Sequence, residues 1–326
     1  MNKHMPALLL FSIVVLLLIV HETLPYTTHK EASFETADSF AVSSKDNQLY
    51  KLTEAAAEEF QAAPQDAVID KVWKAIPGYN GQTVDVKASY ELMKKNGSFD
   101  EKNLVFEEIS PQVHLSDLPP APIYKGNPSK PMASLMINVS WGEEYLPTML
   151  KTLQEENVKA TFFLEGRWVQ KFPRLAKMIV EEGHEIGSHA YSHPDLKTST
   201  EEETYAELEK TNQAIEAVLS IQPSLFAPPS GSFSDQTVKT AAEMDMNTIL
   251  WTADTVDWKN PDPIEMADRT AAKTENGTLV LMHPTAASAA GLKPMIDQIK
   301  KKQITLDTVS TLLDEKRIPV LQDNEQ

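Results

Sequence analysis

From Pro131 onward the chain alternates short apolar runs with amphipathic stretches, and this alternation restricts the fold more than any other feature of the 326 residues. The apolar runs end near Val139, Leu164, Ser188, Phe226, Trp251, Met282 and Leu306. The helical stretches between and after them cover Glu143 to Glu156, Pro173 to Glu182, Thr200 to Ser220, Asp235 to Met244, Pro263 to Glu275, Lys293 to Lys302 and Thr308 to Glu315. Helix-stop chemistry falls in place, with Gly183 after Arg174 to Glu182 and Asn276-Gly277 after Ala267 to Glu275. Parallel strands need long crossovers, so strand-then-helix alternation implies a parallel sheet with helices outside. Seven such units suit a closed or nearly closed barrel better than an open sheet. The expected fold class is therefore α/β, a distorted (β/α)7-type barrel spanning residues 131–319.

What precedes the barrel is heterogeneous. After Lys3, the uncharged run Met5 to Val20 has the length of a secretory apolar core and falls somewhat short of a bilayer span. Residues 1–21 are expected to be a signal peptide or membrane anchor. No small-x-small cleavage pattern follows closely, which favours an anchor left in place. Residues 22–65 are rich in Thr, Ser, Ala, Glu and Asp, with one helical stretch around Leu52 to Phe60, and suit a flexible spacer. Residues 66–117 carry a strand at Val68 to Trp73, turn chemistry at Pro77 to Gly81, a helix capped by Asp85 and a strand at Leu104 to Ile109. They are expected to form a small α/β domain. Residues 118–130 are a Pro-rich linker, and 320–326 a tail.

Composition narrows the chemistry. Thirty Lys plus Arg against 47 Asp plus Glu leave a net charge of −17, a field that repels phosphate backbones, so no nucleic-acid partner is expected. Membrane contact is expected through the N-terminal segment only. The absence of Cys excludes disulfides, thiolate metal sites and cysteine nucleophiles, so any metal must be held by His, Asp or Glu.

In parallel barrels the chemistry sits in the loops after the C-terminal strand ends, and the unusual residues of this chain fall there. They are Asn138-Val-Ser-Trp-Gly142, Gly183-His-Glu-Ile-Gly-Ser-His-Ala-Tyr-Ser-His-Pro-Asp-Leu196, Ala227-Pro-Pro-Ser-Gly231, Asp254-Thr-Val-Asp-Trp258 and Leu281-Met-His283. In order and spacing these segments resemble the motifs of the NodB-homology polysaccharide deacetylases, carbohydrate esterase family 4, over about Pro131 to Ile318. With the segments in front, the whole chain resembles a sporulation-associated, divergent subgroup from spore-forming bacilli.

The resemblance implies a site in which one Asp and two His hold a divalent metal, usually zinc. A second Asp is the general base, and a His protonates the leaving amine. His189 and His193 match the two histidine ligands, and their spacing of four suits one metal. His283 matches the general acid, and Asp257, ahead of Asp254, the acid that orients it. Trp258, Pro228 and Gly231 match the substrate pocket. Three positions depart from the family: Ser140 stands at the base, Trp141 at the metal-ligand carboxylate and Ala227 at an Arg that tunes the base. Zinc held by His189 and His193 alone is weakened by loss of its Asp. Glu143 or Glu144 is the only replacement the sequence suggests nearby, and both suit better the start of the following helix. Trp141, Trp168, Tyr191, Phe233 and Trp258 are aromatic candidates for stacking on sugar rings; for Trp141 the alternative is filling the volume left by metal and carboxylate.

Two functions follow. One is an exported protein acting on N-acetylated glycans of the cell wall or spore envelope, such as peptidoglycan, by metal-dependent hydrolysis of an amide at a degenerate site. The other is a non-catalytic derivative that binds such a glycan or an envelope partner.

Overall fold

The computed structural model of the protein describes residues 36–318; the segments expected as anchor, 1–21, and tail, 320–326, lie outside the described residues. The chain begins with helix α1 (Thr36–Phe60), then β1 (Val68–Asp70), β2 (Lys74–Ile76), β3 (Gly81–Val84), α2 (Val86–Lys94) and β4 (Phe106–Ile109). The alternating part follows as β5 (Met132–Val139), α3 (Leu146–Glu155), β6 (Thr161–Leu164), α4 (Gly166–Lys171), α5 (Pro173–Glu181), β7 (Glu185–Ser188), α6 (Glu201–Leu219), β8 (Leu225–Phe226) and α7 (Asp235–Glu243). It ends with β9 (Asn247–Thr248), β10 (Ala253–Asp254), α8 (Pro263–Lys273), β11 (Leu279–Met282), α9 (Ala286–Lys301), β12 (Thr305–Leu306) and α10 (Val309–Leu313).

β5 explains the architecture. All eight of its residues are buried, as expected for a strand covered on both faces and paired on both edges. Its neighbours are β11 and β6, both parallel. Ala133, Leu135, Ile137 and Val139 pack outward against α3, α8 and α9, together with Leu153, Ala267 and Ile296. Met132 and Met136 point the other way, into an interior shared with Phe163, Leu225, Ile249, Leu279 and Leu281. This two-sided alternation is the period-2 signature of a barrel wall. α10 supplies Val309, Leu312 and Leu313 to the same interior and hydrogen-bonds the first residues of β6 and β7, so it closes the end opposite the strand C-termini.

The sheet runs β10-β11-β5-β6-β7-β8-β9, and β9 does not pair with β10. The residues expected as a Pro-rich linker fill that seam. Ile123 bridges in parallel to Ile249, and Lys125 bridges to Thr278 beside β11. Ile123 N–H donates to Thr248 O and Leu250 N–H to Ile123 O, both at 2.8 Å. On its other side this strap meets Lys74 at the start of the β1–β2 hairpin's second strand. Segment 118–130 is thus a strand-like strap in the wall, and its prolines stop it from becoming a full ladder member.

Two further departures from expectation have simple causes. The residues read as spacer carry α1, which extends well beyond Leu52 to Phe60 and buries Leu49 and Ala56 with Val84, Met93 and Leu104. Residues 253–254 form a strand inside what reads as one long loop; two residues are too few to leave a pattern.

Candidate functional site at the barrel mouth

The strand ends carry the motif residues into one layer. Glu165 N–H donates to Val139 O and His189 N–H to Leu164 O, both at 3.0 Å, and Ala227 N–H donates to Ser188 O at 2.9 Å. Each of these residues is therefore the first beyond its strand, and Ser140, Glu165, His189 and Ala227 line up side by side around the mouth. In β6 the residues Thr161 and Phe163 lie on the inner face, and alternation carries Glu165 to the same face. No motif marks Glu165; the signal for it is Thr161-Phe-Phe-Leu-Glu165 at period 2.

The histidine loop is strained and strongly held. Ala190 and His193 both have positive φ, near 60° and 57°, a conformation that costs about 1 kcal/mol or more for a residue with a side chain. Glu207 on α6 offsets that cost. Its carboxylate accepts from Tyr191 N–H at 2.9 Å and from Ser192 N–H and Oγ–H at 2.8 Å. Gly166 at the start of α4 adds a bond to Ala190 O, at 3.0 Å, and leaves no room for a side chain beside Tyr191. Glu207 also went unread in the sequence, because nothing about one Glu on a charged helix marks it as a loop clamp.

His189 is 2% exposed, and its Nδ1–H donates to Ala227 O at 2.8 Å. That bond fixes the tautomer and leaves Nε2 as the acceptor. Burial, and the neighbouring His193, push its pKa down to about 3 against the opposing effect of the Ala227 bond. The His193 ring lies edge-on, 5.2 Å from the His189 ring. These two residues are brought together as expected.

The Asp257–His283 pair is equally well formed. Asp257, 1% exposed, accepts from His283 N–H at 2.6 Å, from His283 Nδ1–H at 2.8 Å and from Ser288 Oγ–H at 2.5 Å. Burial pushes its carboxyl up, but the bonds from His283 and Ser288 outweigh this and hold it below the ordinary value. Asp254 instead accepts from Val256 N–H at 2.7 Å, so of the two acids it is Asp257 that bonds the His283 ring. Arg269 pins the loop by donating to Thr255 O at 2.5 Å.

On the β5 side nothing ionisable replaces the family carboxylates at their own positions. Ser140 Oγ is buried without a hydrogen-bond partner. Trp141 does not fill an interior void: it is 46% exposed and stacks on His283, with ring centroids 6.0 Å apart and planes 9° from parallel. Gly142 explains the stacking. It has φ +81°, and an added Cβ would run into the Pro284 carbonyl, so the loop after β5 lies against the loop after β11. Glu143 and Glu144 lie in the turn ahead of α3. Glu165 is the acid that faces the layer. Burial raises its carboxyl, an effect opposed by the adjacent Ser140 hydroxyl, although the two lack full hydrogen-bond geometry, and by His193. Ala227 and Pro228 are buried, and Gly231 ends the Pro229–Gly231 turn, packed on the Trp251 ring. Trp258 is 58% exposed beside the mouth. Of the other aromatics, Trp168 is buried against Phe172 and is no part of the rim; Tyr191 packs on Arg167.

For a metal, the residues present do not fit. His189 is oriented as a ligand should be, with Nδ1 engaged and Nε2 free. But among the described residues no three His, Asp or Glu side chains are placed to hold one ion. The missing member is the carboxylate, for which Trp141 offers no oxygen.

A parallel barrel carrying these five strand-end segments is the scaffold of the polysaccharide deacetylases, and comparison with known proteins agrees. The polysaccharide deacetylase family model matches residues 125–249. The chain is 31% identical to the peptidoglycan-N-acetylmuramic acid deacetylase PdaA of Bacillus subtilis, over 61% of this chain and 78% of that protein. It is 49% identical to the uncharacterized protein YlxY of Bacillus subtilis, over 86% of this chain and 88% of that one. The chain belongs to the polysaccharide deacetylase family. Among solved structures, wild-type BA3943, a CE4 family pseudoenzyme from Bacillus anthracis, matches with a TM-score of 0.80 and 51% identity, covering 83% of this chain and 96% of that one. A BA3943 mutant, described as a CE4 family pseudoenzyme with restored enzymatic activity, matches with a TM-score of 0.80 and 50% identity, over 83% and 99% of the two chains.

Proposed function

We propose that this protein is an exported, catalytically disabled member of its family that binds amino-sugar glycans of the cell wall or spore envelope, such as peptidoglycan, through the barrel mouth. One observation carries the reading: the mouth keeps its histidines and their supports while Ser140, Trp141 and Ala227 replace the base, the metal-ligand carboxylate and the tuning cation. Loss of a general base alone lowers rates by ~10² to 10⁴. Here the metal that would activate water also lacks its anionic ligand, so hydrolysis by the family route is slow or absent. The likeness to BA3943, itself a pseudoenzyme, supports the same reading. The glycan assignment draws on PdaA, whose name specifies peptidoglycan, and on the exposed Trp141 and Trp258, whose faces suit sugar rings. The apolar run Met5 to Val20 supports export and a membrane tether.

Restoration tests this directly. Ser140→Asp, Trp141→Asp and Ala227→Arg are combined, and acetate release from chitooligosaccharides and peptidoglycan is measured with added zinc. The parent protein is expected to release none above background and the triple variant to gain at least about a hundredfold. A parent that already works at the variant's rate would overturn the reading in favour of an enzyme with a rearranged site.

A further inference from the structure

Along the described chain, exposed large apolar side chains crowd most closely in the β1–β2 hairpin, where Val68, Ile69, Val72 and Trp73 all reach solvent, Val72 at 66% exposure. The pairing explains why. Only β2 is seated on the barrel: Ala75 is buried with Ile123, and its N–H donates to Pro122 O at 3.2 Å. β1 is paired to β2 alone, and its successive residues Val68 and Ile69 point to opposite faces, so both faces of this outer strand are apolar and uncovered. A strand that only had to stay in water would carry polar residues or charge there.

The tip is shaped to present this surface. Asp70 Oδ1 accepts from Val72 N–H at 2.8 Å and from Trp73 N–H at 2.7 Å, which folds the turn over its acid and leaves both side chains outside. Asp66, the other acid of the stretch, accepts from Gln112 N–H and Val113 N–H at 2.7 and 3.1 Å. The cations lie at the border of the apolar residues. Lys71 and Lys74 are exposed, the latter reaching Lys71 O at 3.4 Å, and Lys125 Nζ lies 6.0 Å from the Trp73 ring centroid. Tyr124 packs on the same indole, with ring centroids 6.4 Å apart.

Aliphatic tips, a Trp–Tyr pair and a fringe of lysines match a bilayer interface, where aromatic rings settle among the headgroups and lysines meet anionic lipid. The charge of the whole chain adds direction. At −17 the remainder of the molecule is repelled by an anionic surface, so approach through the lysine-fringed hairpin is favoured over approach through any acidic face. The same charge opposes a second copy of the chain as the cover.

We propose that the β1–β2 hairpin, with Tyr124 and Lys125 of the strap, docks on the anionic headgroup layer of a lipid bilayer and inserts Val72 and Trp73. The proposal rests on the membrane-tether reading above: a tether at Met5 to Val20 makes docking intramolecular, so a surface this small suffices.

The test uses the full chain. It has no Cys, so Val72→Cys carries its only thiol, and Lys177→Cys on α5, across the barrel from the seam, is the control. Each variant is labelled with an environment-sensitive fluorophore, checked for an unchanged melting temperature and reconstituted into phosphatidylcholine vesicles with or without phosphatidylglycerol. With phosphatidylglycerol, the label at 72 is expected to shift to the blue and to be quenched about tenfold less by aqueous iodide than the label at 177. Lys71→Gln and Lys74→Gln are each expected to lower the docked-to-free ratio about fivefold. Equal quenching at 72 and 177 overturns the proposal and leaves the tether standing, provided that the chain floats with the vesicles. Shielding that is the same without phosphatidylglycerol, or that precedes vesicle addition and grows with protein concentration, also overturns it, the last in favour of a second copy. If the chain does not float with either vesicle, the tether reading falls and the proposal with it.

Discussion

The two sides of the barrel mouth have fared differently. On the β11 side, Asp257, His283 and Ser288 form a complete network. On the β5 side, Ser140 and Trp141 stand where the resemblance to the family implies two carboxylates. The difference lies in what each group does when no reaction occurs. Asp257 is buried and satisfies two backbone-linked or ring N–H groups and a hydroxyl, so it holds two loops together whether or not His283 ever transfers a proton. A pair of carboxylates at the end of β5 would only repel each other and Glu165 once the metal between them is gone. A dyad that survives in such a fold is therefore weak testimony for catalysis.

This contrast can be broken experimentally. The largest effect is expected at Asp257→Ala, which strands His283 N–H, its Nδ1–H and Ser288 Oγ–H; thermal and urea unfolding should register a loss of about 3 kcal/mol. If that variant is as stable as the parent, the network is not structural and its retention would point back to chemistry. Glu207→Ala comes next, at about 2 kcal/mol, because it frees two backbone N–H groups in a loop that already carries positive φ at Ala190 and His193. Hydrogen exchange at Tyr191 and Ser192 should speed up more than elsewhere.

Acid sharpens the comparison further. Burial lowers His184 to about 4 and His189 to about 3. Both are neutral in the folded chain but take up protons near pH 6.5 when unfolded, as ordinary histidines do. Their contribution is complete above that pH and is lost as pH falls toward the folded values, so stability should rise with pH across roughly pH 4 to 6.5. His184→Gln should flatten that slope in unfolding measured against pH; an unchanged slope would mean the ring is not held neutral. The smallest effect is expected at Trp141→Ala. Half-exposed and stacked on one ring, it should cost less than about 1 kcal/mol, yet shift the His283 ring resonances in NMR spectra. A large loss of stability there would mean that Trp141 supports the fold as Asp257 does.

Much of this was legible before any coordinates. Most of the barrel's strands and helices follow from periodicity, and the motif order placed His189, His193, Asp257 and His283 together. What escaped notice has specific causes. α9 reads as starting near Lys293 because Pro294 suits a first turn, whereas Thr285, by accepting from Ser288 N–H, starts the helix well upstream and leaves Pro294 inside it. Glu165 and Glu207 were invisible because each acts through a neighbour brought close only by the fold. For Trp141 the sequence leaves sugar stacking and void filling both open, since it does not reveal that Gly142 must lie against Pro284.

The strap at Ile123 and Lys125 has a bearing on how the molecule assembles. These residues leave the ribosome before any barrel strand, yet their partners Ile249 and Thr278 lie deep in the later half of the chain. Such distant pairings are slow to form. The earliest-made stave must therefore wait for its partners, and a nascent chain holds the seam open until Thr278 has been made. Folding of this barrel should be sensitive to anything that occupies the strap in the meantime.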